Sequence, residues 1–236
     1  MGPEATATFY SELIRLFQIR YGAKYDSDYP EIIIFNLPLP DVVMSVKSRN
    51  KIALALKYGL KKLEKAGADF IVAPCNTICA YYTETRNCVR IPVYSIIKET
   101  VRIALKSGAK AVGILGTQLT IKSRLYDDAL KQYGVKVIKP TEDEALQTMR
   151  IILNILKGKK RTEDVRTLLA IIRRMQNYGA DGIILGCTEL PLLLKKSDSK
   201  IILFDTLKIL ADFTIKKATM NGQQKLFKPT DGGRRL

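Results

Sequence analysis

Short apolar runs of four to six residues recur along the chain, each set between longer stretches whose apolar positions return every three or four residues. The first pattern belongs to strands buried on both faces of a parallel sheet, the second to the helices that cover it. The runs EIIIFN, FIVAP, IPVYS, AVGILG, VKVIKP, GIILG and IILFD predict strands over 31–36, 70–74, 91–95, 111–116, 135–140, 182–186 and 201–205. The stretches between them predict helices over 5–20, 49–65, 77–86, 97–107, 120–133, 142–157, 162–178, 188–196 and 206–219. This alternation predicts an α/β protein with two parallel sheets. The last stretch, NGQQKLFKPTDGGRRL, is polar, contains Gly and Pro, and has no period, so 221–236 is expected to be a flexible tail.

One segment occurs twice. Residues 67–75 read GADFIVAPC and residues 179–187 read GADGIILGC, with five of nine positions identical at an offset of 112. Each copy follows a helical stretch and runs through a short strand into a cysteine. Carboxyl ends of strands in open parallel sheets are where ligand crevices form, so Cys75 and Cys187 are expected to face one cleft from two related halves.

Composition narrows the chemistry. There is no histidine among the 236 residues, which excludes serine–histidine and cysteine–histidine hydrolysis and leaves proton transfer near neutral pH to cysteine, lysine or carboxylates. Without histidine or a pair of cysteines two residues apart, no structural metal is expected. The four cysteines, Cys75, Cys79, Cys88 and Cys187, are expected to be reduced in a cytoplasmic protein. The start, MGPEATATFYSELIRLF, has neither a basic leader nor a cleavage site, and no run approaches about 18 apolar residues, so no membrane association is expected. The formal charge of +16 raises the question of nucleic acid, but the basic groups KKLEK, KSGAK, KGKKR and LLLKK fall near predicted helix ends, where cations favour the carbonyl end of the dipole. Nucleic acid is therefore not the expected partner.

At a strand end entering a helix, unpaired N–H groups stabilise an anion, so both thiols are expected to ionise more readily than a free cysteine. Asn76 and Thr77 follow the first cysteine, Thr188 and Glu189 the second, and these can cap helices or hold a substrate. Thr117 and Thr120 follow the strand AVGILG at another helix start, with capping as the plain alternative. A cysteine after an apolar strand can also be a small buried hydrophobe. Matched placement in two repeats favours function for Cys75 and Cys187, and burial for Cys79 and Cys88.

The segments PCNT at 74–77 and GCTELP at 186–191, with LGTQLT at 115–120, PTEDE at 140–144 and MGPEAT at 1–6, resemble the cofactor-independent aspartate/glutamate racemase family, the aspartate racemase branch above all. The resemblance runs from Met1 to about residue 219. It implies two pseudo-symmetric α/β domains, here 1–95 plus 206–220 and 96–205, usually in a homodimer, with a small acidic amino acid held between them. Cys75 and Cys187 would remove and return the α-proton on opposite faces with no cofactor and no metal. Asn76, Thr77, Thr117, Thr120, Thr188 and Glu189 would bind the substrate. Lys157 matches a lysine that contacts substrate, with a helix C-terminal cation as its alternative.

The chain departs from that pattern in three places. The usual first strand, with its glycine pair, is missing ahead of MGPEAT, which is expected to lower stability. Val42 stands where aspartate racemases can carry an arginine, which leaves glutamate or a broader amino-acid set open. Cys79 stands where a histidine often follows. Hydantoin racemisation and one-cysteine chemistry use related scaffolds, and a non-catalytic anion- or nucleic-acid-binding protein is the reading from another class.

Overall fold

The computed structural model describes residues 2–39 and 49–220; Val42 and the tail 221–236 lie outside the described residues. The fold is α/β. A four-stranded parallel sheet has the order β4-β3-β5-β6, made of β3 (Ala111–Gly116), β4 (Lys136–Ile138), β5 (Gly182–Gly186) and β6 (Ile202–Asp205). A second, two-stranded parallel sheet pairs β1 (Ile71–Val72) with β2 (Val93–Tyr94), Ile71 opposite Val93. The described helices are α1 (Pro3–Tyr21), α2 (Arg49–Lys65), α3 (Tyr82–Thr85), α4 (Ile96–Lys106), α5 (Gln118–Lys122), α6 (Leu125–Lys131), α7 (Glu142–Leu156), α8 (Thr162–Asn177), α9 (Leu190–Leu193) and α10 (Thr206–Met220).

Strands β3 and β5 are buried along their whole length, as central strands with helices on both faces must be. Their side chains divide by parity. Val112, Ile114 and Ile184 face a core with Phe9 and Phe17 of α1, Val101 of α4 and Leu210 of α10. Leu115, Ile183 and Leu185 face the opposite core, with Ile152 of α7 and Leu168 and Met175 of α8. Gly113 belongs to this second face because a Cβ there would lie 2.5 Å from Ile183 Cδ1 and 2.7 Å from Met175 Sδ. Helix α7 begins with a capping box, in which Thr141 accepts from the Glu144 N–H and Glu144 accepts from the Thr141 N–H.

The first sheet is the smaller one. Residues 31–36 carry no strand assignment and form no ladder among the described residues, so the expected strand is corrected to an unpaired segment there. A cavity of about 530 Å³ is lined by Ile32 and Ile34 of this segment, by Phe70 and Val72 at β1 and by Phe9 and Leu13 of α1. Ile34 is 49% exposed.

Other boundaries also moved. The helix expected over 77–86 is a 3-10 turn (Thr77–Tyr81), the single turn α3 and a second 3-10 turn (Arg86–Cys88). Side-chain bonds dictate this, Thr85 Oγ1 donating to the Tyr81 carbonyl at 2.8 Å and Tyr82 Oη to Val93 at 2.6 Å. The helix expected over 120–133 breaks into α5 and α6 at Arg124, whose φ of 56° is left-handed. The helix expected over 188–196 shortens to α9.

Candidate active site

Two loops leave the carboxyl ends of β1 and β5 and meet. Cys75 lies three residues beyond β1 and is half-buried, whereas Cys187 directly follows β5 and is 5% exposed. Both are free thiols. Cys187 donates to Glu189 Oε2 at 2.9 Å, and Thr188 Oγ1 donates to the same oxygen at 3.2 Å. All three residues are buried. Gly2, at the start of α1, closes over this carboxylate: a Cβ there would lie 2.5 Å from Glu189 Oε1.

Electrostatics tie the two thiols together. Burial pushes the Cys187 thiol well above its ordinary value, and the Glu189 carboxylate and the nearby Cys75 raise it further. Cys75 is raised as well, first by burial and then by the charge of Glu189, against which the N–H groups of Ile78 and Thr77 act. One carboxylate is thus felt by both sulfurs. The expectation of two readily ionised thiols is corrected: the N–H groups at the first loop do favour the anion, but desolvation outweighs them at both positions. Cys79 is pushed up to about 12 by burial, its sulfur 3.8 Å from Ser95 Oγ. Cys88 lies apart, 3.8 Å from the Lys57 carbonyl.

The hydroxyls of Thr77, Thr117 and Thr120 form a closed triangle with edges of 3.1, 3.2 and 3.0 Å, all three residues buried. Thr117 also caps α5, accepting from the Thr120 N–H at 3.1 Å. The triangle joins the loop after Cys75 to the loop after β3. Glycines make room for it, since Gly116 and Gly186 are paired in register and a Cβ on Gly186 would lie 3.0 Å from the Leu115 carbonyl and 3.6 Å from Thr120.

Asn76 is 1% exposed, and its side chain is engaged by protein: it accepts from Tyr126 Oη at 2.6 Å and donates to Thr206 Oγ1 at 3.0 Å. Lys157 stands at the C-cap of α7 and is exposed. Among the described residues no cluster of three or more His, Cys, Asp or Glu could hold a metal ion, and no helix is long and apolar enough to cross a membrane.

Residues 1–214 match the Asp/Glu/hydantoin racemase family. The chain belongs to this family. The broad specificity amino-acid racemase RacX of Bacillus subtilis (strain 168) is 33% identical over 215 residues, covering 91% of this chain and 93% of that protein. Among solved structures, the Picrophilus torridus aspartate racemase superposes with a TM-score of 0.80 at 26% identity, covering 96% of this chain and 94% of the other. An aspartate racemase homologue from Pyrococcus horikoshii OT3 gives 0.75 at 29% identity, covering 92% and 95%.

In this racemase-family chain, sequence reading missed two residues that the structure brings to the site, Tyr126 and Thr206. Thr206 carried a usable signal, a polar residue at the carboxyl end of the strand IILFD, the same position that marks Cys187. Tyr126 carried none, because an aromatic on an amphipathic helix reads as core.

Proposed function

We propose that this chain is an amino-acid racemase interconverting L- and D-aspartate by two-base proton transfer between Cys75 and Cys187, with no pyridoxal phosphate and no metal. One observation carries the reading: the two cysteine loops converge at the carboxyl ends of two sheets, and both thiols feel the same buried carboxylate. Inversion at carbon needs a base on one face and an acid on the other, and two thiols supply both from one residue type.

The Cys187 proton is held by Glu189 Oε2 at 2.9 Å, so the reaction starts with the thiolate at Cys75. The Cys75 thiolate then takes the α-proton from one enantiomer. The electron pair left on carbon spreads into the α-carboxylate, and Cys187 delivers its thiol proton to the opposite face. Cys75 ends as a thiol and Cys187 as a thiolate, the state that works on the other enantiomer. Glu189 orients the Cys187 S–H before transfer and, with Thr188, faces the substrate ammonium. The hydroxyls of Thr77, Thr117 and Thr120 turn outward from their triangle to receive a carboxylate, helped by the backbone N–H groups after Cys75. Asn76 contributes through its backbone, and Lys157 only through long-range attraction of an acidic substrate.

The aspartate racemase neighbours and the basic charge support aspartate. The similarity to a broad specificity racemase favours a second reading, in which glutamate or a broader set of amino acids also turns over. Incubating L-aspartate, L-glutamate, L-lysine and L-alanine separately and resolving the enantiomers by chiral chromatography tests both. Highest kcat/KM on aspartate supports the first, comparable values across the set support the second, and no D-enantiomer from any of them overturns the activity. A cytoplasmic homodimer belongs to the same proposal, and sedimentation equilibrium giving a monomer at working concentration would remove that part.

A further inference from the structure

A strap of buried hydrogen bonds crosses from the loop after Cys75 to the strand before Cys187. Tyr126 Oη on α6 donates to Asn76 Oδ1 at 2.6 Å, and the Asn76 amide donates to Thr206 Oγ1 at 3.0 Å. The Thr206 hydroxyl at the start of α10 donates to the Leu185 carbonyl on β5 at 2.9 Å. Asn76 is adjacent to Cys75, and Leu185 is two residues before Cys187. Tyr126 and Thr206 are 0% exposed and Asn76 1%, so no water competes along the strap.

The direction of every bond is forced. The Leu185 carbonyl can only accept, so the Thr206 hydroxyl must donate to it and can take the Asn76 contact only as acceptor. The amide nitrogen of Asn76 therefore faces Thr206 and its oxygen faces Tyr126, which must donate. Burial pushes the Tyr126 phenol up, so it keeps the proton that this role requires. An amide with both ends engaged has one orientation, and it fixes the backbone that carries Cys75.

We propose that Tyr126 and Thr206 are positioning residues, which act through Asn76 to set where Cys75 stands relative to Cys187. Neither touches the reacting atoms. The inference rests on the two-thiol reading, in which a proton leaves one face of a carbon and arrives at the other, so a small displacement of either sulfur slows transfer steeply. It also reassigns the Asn76 side chain from substrate contact to structural register.

The test compares the full chain with Tyr126→Phe, Thr206→Val and Thr206→Ser. Phenylalanine keeps the ring and removes only the hydroxyl; valine keeps the volume; serine restores the hydroxyl without the methyl. The expected result for the first two is a fall in kcat of about 10- to 100-fold with KM within about twofold, while Thr206→Ser stays near the parent. In deuterated water the same two variants should return solvent label to unreacted substrate more often than the parent, because a misplaced partner thiol lets the proton come back on the face it left.

An activity-independent readout runs beside these. Iodoacetamide should alkylate Cys75 severalfold faster in Tyr126→Phe and Thr206→Val, and at the parent rate in Thr206→Ser. Parent-like kcat and alkylation in the two strap-breaking variants would overturn the proposal, as would a Thr206→Ser protein as impaired as Thr206→Val, which indicates packing alone. A parent protein that racemises nothing overturns the two-thiol reading instead, and the alkylation rates then still decide whether the strap holds Cys75. Should Tyr126→Phe fail to fold, the valine and serine pair decides.

Discussion

The two halves of the repeated segment carry the same cysteine into unequal surroundings. After β1, which among the described residues pairs only with β2, Cys75 is half-buried, with the N–H groups of Thr77 and Ile78 turned toward its sulfur. After β5, which pairs on both sides, Cys187 is enclosed, and its proton is held by Glu189 at 2.9 Å. Burial raises both thiols and the charge of Glu189 reaches both, but at Cys187 the carboxylate is also the acceptor of the S–H bond, and one N–H, that of Glu189, opposes it there where two, those of Ile78 and Thr77, do so at Cys75. In the proposed reaction that contrast suits Cys187 to deliver a proton and Cys75 to take one. The repeat supplies two sulfurs, and the residues that follow each one give them different work.

The largest effect should come from removing either sulfur. Cys75→Ser and Cys187→Ser are each expected to lower racemisation by about 10²- to 10⁴-fold, measured by polarimetry or chiral chromatography. Indifference to Cys187→Ser would reduce the site to a single base and break the comparison. Next in size, Glu189→Gln removes the charge while keeping the shape. Racemisation should drop about 10- to 100-fold, and the pH midpoint for alkylating Cys187 should move down further than that for Cys75. Equal movement at both thiols would mean that the carboxylate does not distinguish them.

Stability should depend on the protonation of both thiols. A thiol raised in the folded state favours folding fully below the unfolded-state pKa of about 8.5, and that contribution is lost as pH climbs toward the folded value. Denaturant unfolding above about pH 8.5 should thus show falling stability, and each of Cys75→Ser and Cys187→Ser should flatten that fall. The smallest effect on chemistry is expected from the cavity beside β1. Val72→Ile, which adds a methyl group at the cavity wall, should raise Tm by about 2–4 °C for each kcal/mol gained. An unchanged Tm would mean that the added methyl does not pack there.

Much of this was legible in the chain, and the exceptions have physical causes. Strands β3 and β5 were readable because burial on both faces leaves a continuous apolar run, and α7 because PTEDE spells a capping box. The segment EIIIFN has an equally apolar run, yet a strand also needs a neighbour, and that depends on what fills the cavity beside it. The break between α5 and α6 falls at Arg124, with no glycine to mark its left-handed backbone. At the site, Cys75, Cys187, Thr188 and Glu189 announced themselves by following strand ends. The raised thiols did not, because desolvation is a property of the packed molecule. Tyr126 was invisible for a similar reason, since its hydroxyl matters only once Asn76 is placed against it.

The most direct test follows the label at early times when L-aspartate, or whichever amino acid turns over fastest, reacts in deuterated water. The account predicts that D-product appears carrying deuterium at the α-carbon while unreacted L-substrate stays protiated, since each thiol serves one face. Label entering the unreacted L-pool as fast as D-product forms would show one base working both faces, and the two-sulfur account would be wrong.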